Sequence, residues 1–335
     1  MNILSGDIGG TKTILAIYNF NKGREILYKK KYLSKDWDSF YSILDNFFSN
    51  IPNLLERPKF ACLGLAGMIL DNNCKITNLD WEINKEKIIE KYDLSNLDLL
   101  NDFSVLLYGI KYFKDNQFEI IKERRSSEIK NGLITIVGAG TGLGISRGLY
   151  VDEEIITLDS EGGHAEFSAR NETEWQIVKW IKKSLNIDRV SSERIVSGRG
   201  LTHVVNWRLS KNDARNHPLN QTELSRNIEL DIPKIATKLA IDGDIIMQDA
   251  VNIWISAYGS VIGDIALHNL CYGGLWIAGG TAEKHINNFK TNLFLNSIQN
   301  KGRFKNFFDN LSINVLTDPE AGLFSAACRA NLLCC

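Results

Sequence analysis

The sequence has almost no net charge: 39 Lys and Arg stand against 40 Asp and Glu, a formal balance of -1 over 335 residues. Such a chain raises no long-range field toward nucleic acid or anionic lipid. The short runs KKK at 29–31 and ERR at 123–125 read as solvated faces. Paired cysteines are also missing. Cys62, Cys74, Cys271, Cys328, Cys334 and Cys335 are scattered without a C-x-x-C spacing, which argues against a zinc site or a disulfide framework and fits reduced thiols. The pair Cys334-Cys335 has no assigned role. The opening MNILSGDIGG carries neither the basic start nor the long apolar stretch of an export signal, so a cytoplasmic location is expected. No apolar run reaches the ~18 residues of a membrane span. Roughly Asp244 to Leu270 comes nearest, but Asp249, Asp264 and His268 interrupt it, and it reads as a core helix. With 44% hydrophobic residues, the chain is long and apolar enough for about two domains.

Clustered glycine is what stands out. Two stretches read as copies of one unit: NILSGDIGGTKTILAIYNFNKGREILYKKKY near the start and LITIVGAGTGLGISRGLYVDEEIITL from Leu133. Each runs apolar strand, glycine turn, second strand, polar turn, third strand, with Asn21-Lys22-Gly23 and Asp152-Glu153 as the polar turns. Strands then alternate with helices, as in KFACLGLAG, NKEKIIEKY, LDLLND and FSVLLYGIKYF, so each half reads as α/β. TEWQIVKWIKKSL puts Trp175, Val178, Ile181 and Leu185 on one helical stripe.

Neither glycine loop fits a helix-linked nucleotide motif. A G-x-G-x-x-G reading from Gly138 ends on Leu143, and GDIGGTKT has Thr11 where G-x-x-x-x-G-K-[ST] requires glycine. Both loops run into strands, and bare amides in such a turn form an anion-binding nest without a helix terminus.

Taken together, these pieces resemble the bacterial glucokinase family, within the hexokinase and actin-like ATPase fold. GDIGGTK is similar to the family's first phosphate loop, GAGTGLG to the second, and IAGG at 277–280 to the adenosine-side loop. LLNDF at 99–103, EGGH at 161–164, SSERIVSG at 191–198 and KGRF at 301–304 fall in the family's order. The resemblance implies a two-domain ribonuclease H-like α/β fold with duplicated βββαβα halves around a central cleft that holds ATP and Mg²⁺. A small domain over 1–108, joined by a C-terminal helix at 318–335, and a large domain over 109–317 are expected.

The same resemblance assigns roles. Asp102 becomes the general base toward the glucose 6-hydroxyl, a task for which a carboxylate of ordinary low pKa suffices. By position alone it reads as a helix N-cap. Asn78, Asn101, Asp102, Glu161, His164 and Glu193 become the sugar contacts; read locally, Glu161 and His164 form a side-chain hydrogen bond, and Glu193 is a first-turn acid of a helix capped by Ser191 or Ser192. Gly6, Asp7, Gly9, Gly10, Thr11, Gly138, Gly140, Thr141, Gly142, Gly279 and Gly280 become the nucleotide side, with Asp7 holding Mg²⁺ through water. Lys12 and Arg303 are further candidates near the phosphates. AEFSARNETEW contains no cysteine, so His164 is read as a sugar residue and not as a zinc ligand. Gly67-Met68 stands where many relatives have proline after the glycine, and Lys12 where asparagine is more frequent. Expected partners are glucose, ATP and a second copy in a homodimer, with no nucleic acid and no membrane. A kinase for another hexose or amino sugar and a non-catalytic sugar sensor are the alternatives.

Overall fold

The computed structural model describes residues 1–125, 132–152, 154–221 and 231–334. Glu153 of the expected second polar turn and Cys335 lie outside the described residues. The chain divides into two compact units. The first comprises Met1–Phe118, Ser146–Asp159 and Asp318–Cys335; the second comprises Glu119–Ile145 and Ser160–Thr317.

In the first unit, β1 (Asn2–Ile8), β2 (Lys12–Asn19) and β3 (Glu25–Leu33) form an antiparallel meander, and β4 (Phe60–Leu65) pairs in parallel with the other side of β1. A small antiparallel sheet follows, made of β5 (Gly67–Leu70), β6 (Asn73–Ile76) and β7 (Glu82–Asn84). The chain then returns through β8 (Asn96–Asn101), parallel to β4, to give the order β3-β2-β1-β4-β8. Strand β1 is buried almost throughout, as its apolar sequence requires for a strand covered on both faces. Edge strand β3 carries Lys29, Lys30 and Lys31, charges that discourage edge-to-edge pairing.

One face of this sheet packs on the helix Phe40–Ser49 through Phe40, Ile43, Leu44 and Phe47. Ser39 caps that helix by accepting the Ser42 N–H. The opposite face packs on the helix Ala321–Leu332, whose Leu323, Ala326, Ala327 and Ala330 meet Ile3, Ile14, Ala16 and Cys62.

The second sheet contains β9 (Phe118–Lys122), β10 (Ile134–Ala139), β11 (Leu143–Val151), β12 (Glu154–Ser160), β13 (Gly274–Ala278) and β14 (Ile313–Leu316), ordered β12-β11-β10-β13-β14-β9. The plan of the first sheet recurs: third, second, first, then two later strands joined in parallel to the first. The duplication read from the sequence is therefore a duplication of topology.

The helix Ile245–Asn269 fills the second core, with Trp254 and Tyr258 fully buried. It is long and apolar enough by composition to cross a membrane, yet most of it is buried inside the protein. Its Gly259 and Gly263 explain its tight packing. A β-carbon there would stand 2.8 Å from the Phe294 carbonyl oxygen and 2.4 Å from that of Ile298, so the helix Asn292–Gln299 crosses at backbone contact.

Three local expectations differ from the structure. The expected boundary at residue 108 lies short of the observed one, and 146–159 groups with the first unit. Its side chains explain why: the buried Ser104 hydroxyl bonds Ser146 Oγ at 2.9 Å and the Asp159 carboxylate. The segment after Asp102 is a 3₁₀ helix, Val105–Tyr112, pressed against the C-terminal helix where a β-carbon on Gly109 would overlap Ser325 Oγ. In the helix Glu172–Leu185 the buried stripe is Glu174, Ile177, Val178 and Ile181, while Trp175 and Leu185 are exposed. Glu174 takes a core position because Arg170 pairs with its carboxylate.

Candidate active site

In the first unit, the site grows from the carboxyl ends of parallel strands, where open α/β sheets offer ligand positions. Asp7 pairs in register with Gly64 of β4, and Gly64 with Leu100 of β8. In-register residues of parallel strands share a face, so Asp7 and Leu100 project to the same side with no side chain on Gly64 between them. Asp102, two residues past Leu100, continues that side.

Each carboxyl feels the arrangement. Burial, then the negative charge of Asp7, pushes Asp102 up to about 6 against the pull of its own N–H, that of Phe103 and the Asn101 amide. Burial likewise raises Asp7, with Lys12 opposing. Asp102 is thus not the ordinary low-pKa aspartate expected from the sequence. Nor is it the cap: the 3₁₀ helix Val105–Tyr112 has Ser104 at its N-cap, and Asn101 Oδ1 accepts the N–H groups of Phe103 at 2.9 Å and Ser104 at 3.4 Å in the turn before it. The Asp102 carboxylate stands at the strand end, with its own N–H, that of Phe103 and the Asn101 amide beside it.

The first glycine loop is a tight turn, with Gly9 N–H donating to the Lys12 carbonyl at 2.9 Å. Ser34 holds it: its hydroxyl donates to the Gly9 carbonyl at 2.7 Å and its N–H to that of Thr11 at 3.1 Å. Sequence reading missed Ser34, which sits 25 residues beyond Gly9 with no motif around it. A β-carbon on Gly10 would be 2.9 Å from the Thr77 carbonyl oxygen and 3.7 Å from Asn78 Cβ, so Asn78 lies beside this loop. Gly6 serves the core instead, because a β-carbon there would meet Leu63, Ile8 and Leu15 within 3.0 Å.

Gly322 was also missed. A β-carbon on it would stand 3.5 Å from Asp7 Cγ, so the start of the C-terminal helix leaves room at this carboxylate. Two buried carboxyls, one raised partly by the charge of the other, suit a hard divalent cation. Among the described residues no group of three or more His, Cys, Asp or Glu forms a metal cage. A cation at Asp7 would take most of its ligands from water and phosphate, as Mg²⁺ does.

In the second unit, Gly138, next to last in β10, is in register with Ala278 at the end of β13, so the loops 138–144 and 277–280 leave adjacent strand ends. Ala139 joins them. Its carbonyl accepts from Thr281 Oγ1 at 2.6 Å and Thr281 N at 3.2 Å, and Gly279, at φ +90°, brings its Cα against the same carbonyl. Gly140 N–H donates to the Gly142 carbonyl at 2.8 Å, and the Gly140 carbonyl accepts the Gly198 N–H at 2.8 Å. At the tip, Thr141 is exposed, and β-carbons on Gly140 and Gly280 would meet nothing within 4 Å. These are the open positions of the two loops.

Leu143 gathers the rest. Its N–H donates to Glu193 Oε2 at 3.1 Å, and its carbonyl lies where a Gly163 β-carbon would be, 2.2 Å away. Glu193 is also, as expected, the first-turn acid of a short 3₁₀ helix, Ser192–Arg194, with Ser191 at its N-cap; the following helix Gly198–Leu209 is capped by Ser197. Ser192 N–H donates to the Ala165 carbonyl at 2.8 Å, tying the turn of Glu193 to that of His164. Glu161 and His164 are exposed and 3.7 Å apart, too far for the expected hydrogen bond. Their polar ends are turned to solvent.

The family profile described as Glucokinase matches residues 4–332. A glucokinase of a Nostoc species is 33% identical over 98% of this chain and 99% of its own length. Among solved structures, glucokinase from an Antarctic psychrotroph superposes with a TM-score of 0.82 at 25% identity, covering 99% of both chains. Glucokinase from Balamuthia mandrillaris in complex with glucose gives 0.78 at 21% identity, over 98% of this chain and 93% of that one, a likeness of fold.

Proposed function

The chain belongs to the glucokinase family and is a hexose kinase that uses ATP, and from that premise we propose the roles of its residues. Asp102 takes the proton of the glucose 6-hydroxyl. The O6–phosphorus bond forms as the bond from the γ-phosphorus to the β,γ-bridging oxygen breaks, giving glucose 6-phosphate and ADP. The observation that supports this most is the state of Asp102: at a strand's carboxyl end, not used as a helix cap, and with its carboxyl pushed up to about 6. A base tuned toward neutrality is ionised at pH 7 and still receives a proton readily.

Asn78, Asn101, Glu161, His164 and Glu193 are the sugar contacts in this reading. A hexose presents a ring of hydroxyls, and carboxylates and amides accept from them with charge-assisted strength. Backbone N–H groups at Gly10, Thr11, Thr141 and Gly280 receive the nucleotide, Gly140 lets it approach a bare Cα, and Gly6, Gly9, Gly138, Gly142 and Gly279 support them by packing and by closing the turns. Asp7 is the residue that holds Mg²⁺, through water. Bound there, Mg²⁺ supplies charge neutralisation on the phosphates. The reading carries with it a cytoplasmic location, in keeping with the unbridged thiols Cys62, Cys74, Cys271 and Cys328, and a homodimer.

A coupled assay for ADP release across hexoses and amino sugars tests the substrate. Glucose should give the highest kcat/KM. A higher value for another sugar would reassign the substrate, and no release with any hexose would overturn the reading.

A further inference from the structure

Glu193 stands at a junction that its sequence does not display. By motif it belongs with the sugar contacts, whereas Gly142 belongs to the second phosphate loop. In the structure, Glu193 Oε2 accepts the Leu143 N–H at 3.1 Å, and a β-carbon on Gly142 would lie 2.5 Å from that same oxygen. Gly142 is thus glycine because a carboxylate occupies the space beside it. The side chain is half-buried, and among the described residues its other oxygen, Oε1, accepts no hydrogen bond.

We propose that Glu193 is a positioning residue that couples the two ligands: Oε2 holds the backbone of the second glycine loop while Oε1 accepts from a sugar hydroxyl. The proposal rests on the glucokinase reading of the site. A carboxylate is a rigid plane, so fixing one oxygen restricts the other. A sugar bound at Oε1 orders the Leu143 amide and the 140–142 turn, and a nucleotide that orders the turn presents Oε1 to the sugar. Each ligand then binds a partner already partly ordered by the other, which lowers the entropic cost of the second event. Thermodynamic linkage requires the two effects to be equal in size.

Calorimetry on the full chain tests this with glucose and, in Mg²⁺, a non-hydrolysable ATP analogue, each titrated with and without the other. Wild type should show mutual enhancement of about 5-fold or more, the lower end of ordinary coupling. Gly142→Ala is the informative variant, because its methyl group must displace the flexible end of Glu193. It should weaken glucose about tenfold in the absence of nucleotide, although Gly142 itself belongs to the phosphate loop, and bring the coupling close to one. Glu193→Gln, which keeps the shape but not the charge, should also reduce the coupling, and it decides the matter if Gly142→Ala does not fold. Unchanged glucose affinity and coupling in a folded Gly142→Ala would overturn the proposal while leaving the kinase reading intact. So would the absence of mutual enhancement in wild type. A wild-type protein that binds no glucose would instead overturn the glucokinase reading on which the proposal rests.

Discussion

The hydroxyl of Tyr258 accepts the N–H of Ala139 at 3.1 Å. Tyr258 is fully buried in the long helix of the second unit, and Ala139 is the last residue of β10 before the open part of the second glycine loop. The Ala139 carbonyl is held by Thr281, so the two peptide groups that flank one Cα are both held. Tyr258→Phe keeps the ring and removes only the acceptor, leaving a buried N–H unpaired at about 1–3 kcal/mol. KM for ATP should rise several-fold while KM for glucose changes little. Steady-state kinetics with each substrate varied in turn checks the split; equal rises would assign Tyr258 to general stability.

Asp102→Asn should fold and lose roughly 10²- to 10⁴-fold in kcat, the usual share of a general base. Stability should move the other way. The folded carboxyl sits at about 6, above its ordinary 3.8, so the stability it contributes is complete below pH 3.8 and is lost as pH rises through 6. The amide removes this cost. In metal-free buffer at pH 7–8 the variant should be about 1–3 kcal/mol more stable than wild type, each pKa unit being worth about 1.4 kcal/mol. Urea unfolding measures the difference, and a less stable variant would contradict the burial argument.

The proposed role of the same carboxyl predicts the acid limb of the pH profile. A base works only when unprotonated, so kcat/KM should fall as pH drops through about 6, with a slope of one proton. In Asp102→Asn the residual activity should lose this limb. A limb retained in the variant would belong to another group.

Two glycines separate packing from phosphate contact. Gly6→Ala forces a methyl group into Leu63, Ile8 and Leu15 and should destabilise by about 1–3 kcal/mol, with KM for ATP nearly unchanged in the folded fraction. Gly140→Ala meets nothing within 4 Å and should leave the melting temperature alone while raising KM for ATP, because the methyl group stands where a phosphate would approach. Melting curves and kinetics on the pair distinguish the two roles.

Removing divalent cations with EDTA should abolish phosphoryl transfer and leave glucose binding in place, since the proposed sugar contacts are hydrogen bonds from the protein alone. Calorimetry with glucose in EDTA checks the second half. Loss of sugar binding would place the cation within the sugar site.

Much of this protein was legible in its residues because the signals are local. The meanders, the parallel strands and the core helix follow from apolar periodicity and turn chemistry, which act over a few residues. The motifs GDIGGTK, GAGTGLG, LLNDF and EGGH stand in one order along the chain and carry the family resemblance by themselves. What the sequence could not display is how distant residues meet. Ser34 secures a loop that begins 25 residues earlier, Ser104 draws Ser146 and Asp159 into the first unit, and Glu193 reaches Leu143 across 50 positions. The pKa of Asp102 belongs to the same class, because burial and the nearness of Asp7 arise only when β1 and β8 flank β4. Periodicity and motif order specify which elements form and what chemistry they carry. Hydrogen-bond partners and electrostatic neighbours depend on distances of a few ångströms between segments far apart in the chain, and those distances exist only in the folded protein.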